Sequence, residues 1–193
     1  MSGRSIAGLI RSSELAIMGA VLLIAIGLLG IFLSIALGIN PTLLSGRIFV
    51  ACGFAYFIYA FATRNDGEAA WRILTSFLYT FAGFYLLLFF SPELQVRNVM
   101  IVAGVIVLIE SMMEFLIFYR LRARNGSGWI AAGAFATAFL VLIICGLWPV
   151  SSMRIIGGIV GTKFVISGVS RLMYSLATYK TLEAFAKKNG SLA

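Results

Sequence analysis

Four ionisable residues stand inside otherwise apolar stretches of this chain: Glu110, Glu114, Lys163 and Arg171. A lone charge near the centre of a bilayer costs at least about 2.5–3.5 kcal/mol, and buried charges persist mainly when paired. Two acids and two bases therefore predict a mixed ion-pair network. Such a network can be glue that fixes helix register. It can also be part of a proton or small-ion path, because intramembrane carboxylates serve as relay members. Tyr59, Glu110, Glu114 and Lys163 carry groups suited to acid–base chemistry, yet no recognisable substrate pocket follows from the sequence.

Other chemistries are thin. Histidine, the commonest general base and a frequent haem and zinc ligand, is absent. Cys52 and Cys145 each lie in an apolar run and form no CxxC, so burial as small hydrophobes is the plain reading. No nucleotide loop, metal cluster or nucleophile constellation is found. The chain is expected to be non-enzymatic and to hold no cofactor and no metal.

The elements that must position these residues follow from composition. Of 193 residues, 61% are hydrophobic and 11% charged, and the mean hydropathy is +1.03. Soluble domains carry roughly 45–50% apolar and about 25% charged residues, so this is an integral membrane protein. A hydrocarbon core about 30 Å thick needs roughly 20 apolar residues of helix. Six segments qualify: residues 15–38, 43–63, 72–90, 98–119, 129–147 and 154–175. The first is longer than a signal-peptide core and precedes no A-x-A-like cleavage site, so it is expected to remain as a helix. The fold class is all-α, one transmembrane domain over residues 1–193.

The joints alternate in character. Short connections containing Pro41, Pro92 and Pro149 follow the first, third and fifth helices, whereas the others are longer and charged. Proline suits the first turn of a helix and disfavours helix just before it. Three hairpins result, residues 15–63, 72–119 and 129–175. The N-terminus, the charged loops and the C-terminus hold Arg4, Arg11, Arg64, Arg72, Arg120, Arg122, Arg124, Lys180, Lys187 and Lys188, against Arg47, Arg97 and Arg154 on the other side. This bias predicts cytoplasmic termini, in a membrane protein that binds no nucleic acid despite a net charge of +8. Residues 178–193 read as an amphipathic or frayed interfacial tail, with Leu182 and Phe185 as its apolar contacts.

Aligned on their prolines, the hairpins repeat. Twelve residues after Pro41, Pro92 and Pro149 come Gly53, Gly104 and Gly161. With Gly157 and Gly168, these are expected to serve close helix packing, with a ligand role as the alternative. Ala60 departs from the pattern, where glycine would match Gly168. At about 100° per residue from the repeat glycine, Glu110, Glu114, Lys163 and Arg171 fall on one narrow arc of equivalent helices. Tyr59 and Thr63 occupy the angles of the two glutamates in the second helix. Glu114 and Arg171 each lie 22 residues after their proline, which sets them at one level if the hairpins are in register. One polar face shared by the even-numbered helices is the expectation. Arg47, Arg97 and Arg154 fall near the outer ends of those helices, where each can snorkel to lipid phosphates or where the three can converge on an anion or acidic partner.

The pattern resembles the HdeD-like, DUF308-type family of six-helix bacterial membrane proteins. The carrying residues are Trp129, Gly133, Trp148-Pro149, the run Ile155-Ile156-Gly157-Gly158-Ile159-Val160-Gly161, and Gly168, with weaker copies around Pro41…Gly53 and Trp71…Pro92…Gly104. The resemblance implies a bacterial inner-membrane protein of three two-helix repeats linked to acid or envelope stress, and it supplies no catalytic residues. The expected function is a stress-associated factor or an accessory subunit of a membrane complex, with membrane lipids, a second copy or another membrane protein as partners. The alternative is a proton or small-ion conductor using Glu110 and Glu114. Ala131, Ala132, Gly133, Ala134, Ala136 and Ala138 make the fifth helix smooth enough to receive another helix.

Overall fold

Away from water, an apolar segment can satisfy its own backbone hydrogen bonds only as a helix. The computed structural model contains α1 (Gly3–Ala36), α2 (Pro41–Ala62), α3 (Ala69–Leu88), α4 (Gln95–Leu121), α5 (Ser127–Gly146) and α6 (Met153–Lys188). It describes residues 3–36, 41–62, 69–88, 95–123, 125–146 and 153–188, and no strand occurs among them. By length and composition, α1 to α5 can each cross a membrane. Among the described residues the sixth expected span, in α6, is not one of these five.

Two boundaries differ from the sequence reading. α1 begins at Gly3 instead of near residue 15. α6 does not stop near residue 175 but continues to Lys188, since neither proline nor glycine occurs between Gly168 and Gly190 to end it. Residues 178–188, expected as a separate tail, are its last turns, with Leu182 half-buried and Phe185 exposed. At 1.5 Å per residue, α1 and α6 each exceed about 50 Å, longer than the hydrocarbon layer.

The broadest helix contacts are not those within hairpins. They join α1 to α6, α2 to α3 and α4 to α5, whereas α3 barely touches α4. Each even helix therefore lies broadside against the first helix of the next hairpin, and the third hairpin closes on the first. Glycine explains two of these seams. A Cβ on Gly161 would lie 2.7 Å from the carbonyl of Gly27, and one on Gly27 would lie 2.8 Å from that of Gly161. Gly168 presses on Ala20 and Ile24, and Gly157 on Ser34. In the second seam, a Cβ on Gly53 would approach the Thr80 amide to 3.0 Å and the Ser76 carbonyl to 3.1 Å. Gly104 differs: a Cβ there would meet only Ile144, at 3.6 Å. The α4–α5 seam instead uses the Ser111 hydroxyl, which donates to the Ala134 carbonyl at 3.2 Å.

α2, α4 and α6 meet in the middle, and the rings of Phe54, Phe61, Phe77, Phe81, Phe135 and Phe139 point outward as an apolar surface. One large core cluster, including Leu44, Ile48, Phe49, Leu86, Met100 and Val160, fills the half where α2, α4 and α6 begin. Along α5, Gly133 and Ala134 are buried while Ala132 is exposed.

Candidate functional site

The even helices bring their charges together at the centre of the bundle. Glu110 of α4 forms ion pairs with Lys163 and, at 3.2 Å, with Arg171, both of α6. Arg171 also reaches Glu114 at 3.0 Å. Glu110 is 0% exposed, Lys163 1%, Glu114 4% and Arg171 8%. Two positive and two negative charges thus share a site withdrawn from lipid.

Glu110 collects more than ions. Tyr56 of α2 and Tyr79 of α3 both donate hydroxyl hydrogen bonds to its carboxylate, and Ser167 donates at 3.5 Å. Lys163 in turn donates to the Tyr79 hydroxyl and, at 3.3 Å, to that of Tyr56. The two tyrosine rings stack with centroids 5.2 Å apart. Lys163 Nζ stands 4.3 Å from the Tyr79 centroid and 4.5 Å from that of Phe164, and the Arg171 guanidinium stands 4.4 Å from Tyr56. A cation over a ring face gains from the ring quadrupole, most when dehydrated. Glu114 is held more sparsely: its Oε2 is buried without a hydrogen-bond partner, as is Arg171 Nε.

Of the residues singled out by sequence, Glu110, Glu114, Lys163 and Arg171 lie in this cluster, and Tyr59 lies beside it, its ring 5.3 Å from the Arg171 guanidinium. Thr63 lies outside the described residues, as do the side chains of Arg97 and Arg154. Arg47 is exposed on α2.

Besides Ser167, three participants escaped the sequence reading. Tyr56 falls at about 300° in the repeat frame, on the arc of the glutamates, so its angle was a usable signal. Tyr79 sits on an odd-numbered helix, for which that frame makes no assignment. Arg72, counted with the loop charges, is buried in α3 with its guanidinium 5.1 Å from the Tyr59 ring.

The arrangement can hold four helices in register and can hold a proton among its carboxylates and phenols. Among the described residues no cluster of three or more histidine, cysteine, aspartate or glutamate side chains could hold a metal ion.

Residues 18–88, which span most of α1 and all of α2 and α3, match the family described as a short repeat of unknown function (DUF308). The chain is 23% identical over 158 residues to Protein HdeD of Escherichia coli strain K12, covering 81% of this chain and 82% of the relative. The same figures hold for Protein HdeD of Escherichia coli O157:H7 and of Shigella flexneri. No solved structure matches the chain. The matches fall on the helices that build the bundle, and they make the chain similar to the HdeD-like DUF308 membrane proteins.

Proposed function

We propose that the chain is a non-enzymatic, multi-pass protein of a bacterial inner membrane, with both termini cytoplasmic, that works through contacts with lipids or with a membrane-protein partner. Its charged network sets how the helices meet. The carrying observation is the saturation of Glu110, which takes Tyr56 from α2, Tyr79 from α3 and Lys163, Ser167 and Arg171 from α6. A carboxylate so surrounded is a clamp across four helices and leaves little of itself for a substrate. On the family resemblance, we read this contact role as one serving acid or envelope stress. Purification in mild detergent tests it: an oligomer or a stable co-purifying membrane protein is expected, and a monomer with no partner overturns the accessory role.

A second reading, proton or small-ion conduction, is favoured by one observation: Glu114 Oε2 is buried with no hydrogen-bond partner. Liposomes carrying the native chain or the Glu110→Gln/Glu114→Gln variant discriminate. Flux that only the native chain supports favours conduction; equal flux in both and in empty vesicles removes it.

A further inference from the structure

Buried polar side chains are distributed unevenly along the bundle. Because Tyr79 meets Lys163 while α3 runs against α6, residues earlier in α3 lie progressively toward the end where α6 finishes. Ser76, Thr75 and Arg72 follow in that direction and are all buried: Ser76 donates to the Gly53 carbonyl, Thr75 reaches Met113, and Arg72 reaches the Tyr59 ring. The opposite half is filled by the apolar cluster of Leu44, Ile48, Phe49, Leu86, Met100 and Val160, where Ser34 and Ser45 are uncharged exceptions. Phe49 sets its ring edge-on to both Tyr79 and Phe164, at 5.6 and 6.0 Å, and so caps the charged site on that side.

The polar half has a second apolar patch, made by Ile117, Leu121, Ile130 and Tyr174 with Phe118, which closes the α4–α5–α6 corner and is joined there by Trp71 from the start of α3. What continues outward is the corner of α2 and α3. There cations and rings alternate: Arg72 lies 5.1 Å from the Tyr59 ring, Arg171 lies 5.3 Å from Tyr59 and 4.4 Å from Tyr56, and Lys163 lies 5.4 Å from Tyr56 and 4.3 Å from Tyr79. Among the described residues, two buried charged side chains have an atom without a hydrogen-bond partner on this side of Glu110, Glu114 Oε2 and Arg171 Nε, whereas the apolar half leaves only the uncharged Ser45 Oγ so. Buried polar groups of this kind are those that water reaches and serves.

We infer that the charged network exchanges water and protons with one face only, the face where α3 begins and α6 ends, along the line Arg72–Tyr59–Arg171, and that the apolar cluster around Phe49 seals it from the other face. This goes beyond a contact role, and it holds whether or not a partner is bound. It describes a site that is reached from one side and not crossed.

Thiol accessibility in membrane vesicles of either orientation tests it, with a membrane-impermeant, water-soluble methanethiosulfonate as the probe. In a Cys145→Ala chain, the native Cys52, 0% exposed and within the sealed cluster, needs no buried substitution and is expected to stay unlabelled from both faces. Thr75→Cys, in a chain lacking both native cysteines, is expected to label from the face that displays Lys187, at least tenfold faster than Ser45→Cys from either face. Arg72→Ala is expected to raise the Thr75→Cys rate several-fold and leave Cys52 unchanged. Ser76→Cys carries the same measurement if Thr75→Cys does not yield a folded, monodisperse protein. Labelling of Cys52 or Ser45→Cys from the opposite face at the Thr75→Cys rate overturns the inference, as does a Thr75→Cys thiol that stays unlabelled in the Arg72→Ala chain. Neither outcome depends on whether a partner co-purifies, so this failure and that of the contact role are read separately.

Discussion

One nitrogen of Arg171, Nη2, holds both carboxylates of α4, at 3.2 Å from Glu110 and 3.0 Å from Glu114. The glutamates are four residues apart, one helical turn, and so present to α6 on one face. Replacing Arg171 with methionine leaves two carboxylates facing Lys163 alone. Breaking a buried pair by removing one partner costs about 3–5 kcal/mol, and a loss of that order is expected in detergent-based unfolding. Arg171→Lys keeps the charge but loses the planar fork, so it is expected to fall between methionine and the native chain. The Arg171→Met/Glu114→Gln double variant recovers part of the loss; a double variant less stable than Arg171→Met alone would show that Glu114 is not held by this pairing.

The two glutamates are not equivalent. Among the described residues, Glu110 takes five partners from three helices, whereas Glu114 has one charged contact and an oxygen without a hydrogen-bond partner. Glu110→Gln is therefore expected to destabilise the bundle more than Glu114→Gln. Side-by-side denaturation of the two single variants checks this, and equal losses would contradict the clamp.

Tyr56 and Tyr79 donate to the same carboxylate and stack on one another, so their contributions should be coupled. Hydrogen bonds to charged groups are worth about 1.5–3 kcal/mol each. Phenylalanine at either position keeps the ring and removes the hydroxyl, which donates to Glu110 and accepts from Lys163. Groups in one network typically show coupling of about 0.5–3 kcal/mol. A double-mutant cycle of Tyr56→Phe and Tyr79→Phe is expected to depart from additivity within that range; strict additivity would mean that the two hydroxyls act independently.

Much of this cluster was legible in the chain because spacing counted from the prolines converts sequence position into depth and angle. Glu114 and Arg171, at equal distance from their prolines, meet at 3.0 Å. The same frame was silent on Tyr79, whose α3 runs the other way, and on Arg72, where proximity to a charged loop outweighed the tertiary burial that only packing reveals. It also gave Gly53, Gly104 and Gly161 one role, although only the first and last meet a neighbouring backbone closely. Local spacing carries no information about how far α5 stands from α4. Nor does it say which neighbours touch: the short proline turns indicate three hairpins, whereas close glycine contacts draw α2 onto α3 and α6 onto α1, and Ser111 ties α4 to α5.

That difference among the repeat glycines gives a direct test of the seams. A methyl at Gly161 would crowd the Gly27 carbonyl at 2.7 Å and the Ile31 amide at 2.9 Å, both backbone atoms that cannot swing aside. At Gly53 the Thr80 amide and Ser76 carbonyl stand at 3.0 and 3.1 Å, and the Ser76 hydroxyl donates to the Gly53 carbonyl at 2.7 Å. At Gly104 only the Ile144 side chain comes near, at an ordinary 3.6 Å. Overpacking a close interface costs about 1–3 kcal/mol, while alanine in an open helix position is favoured over glycine by roughly 1 kcal/mol. Gly161→Ala and Gly53→Ala should therefore destabilise the protein, and Gly104→Ala should be neutral or stabilising. Unfolding of the three variants in one detergent decides the matter: a Gly104→Ala loss as large as the Gly161→Ala loss would mean that α4 and α5 pack as tightly as α6 and α1.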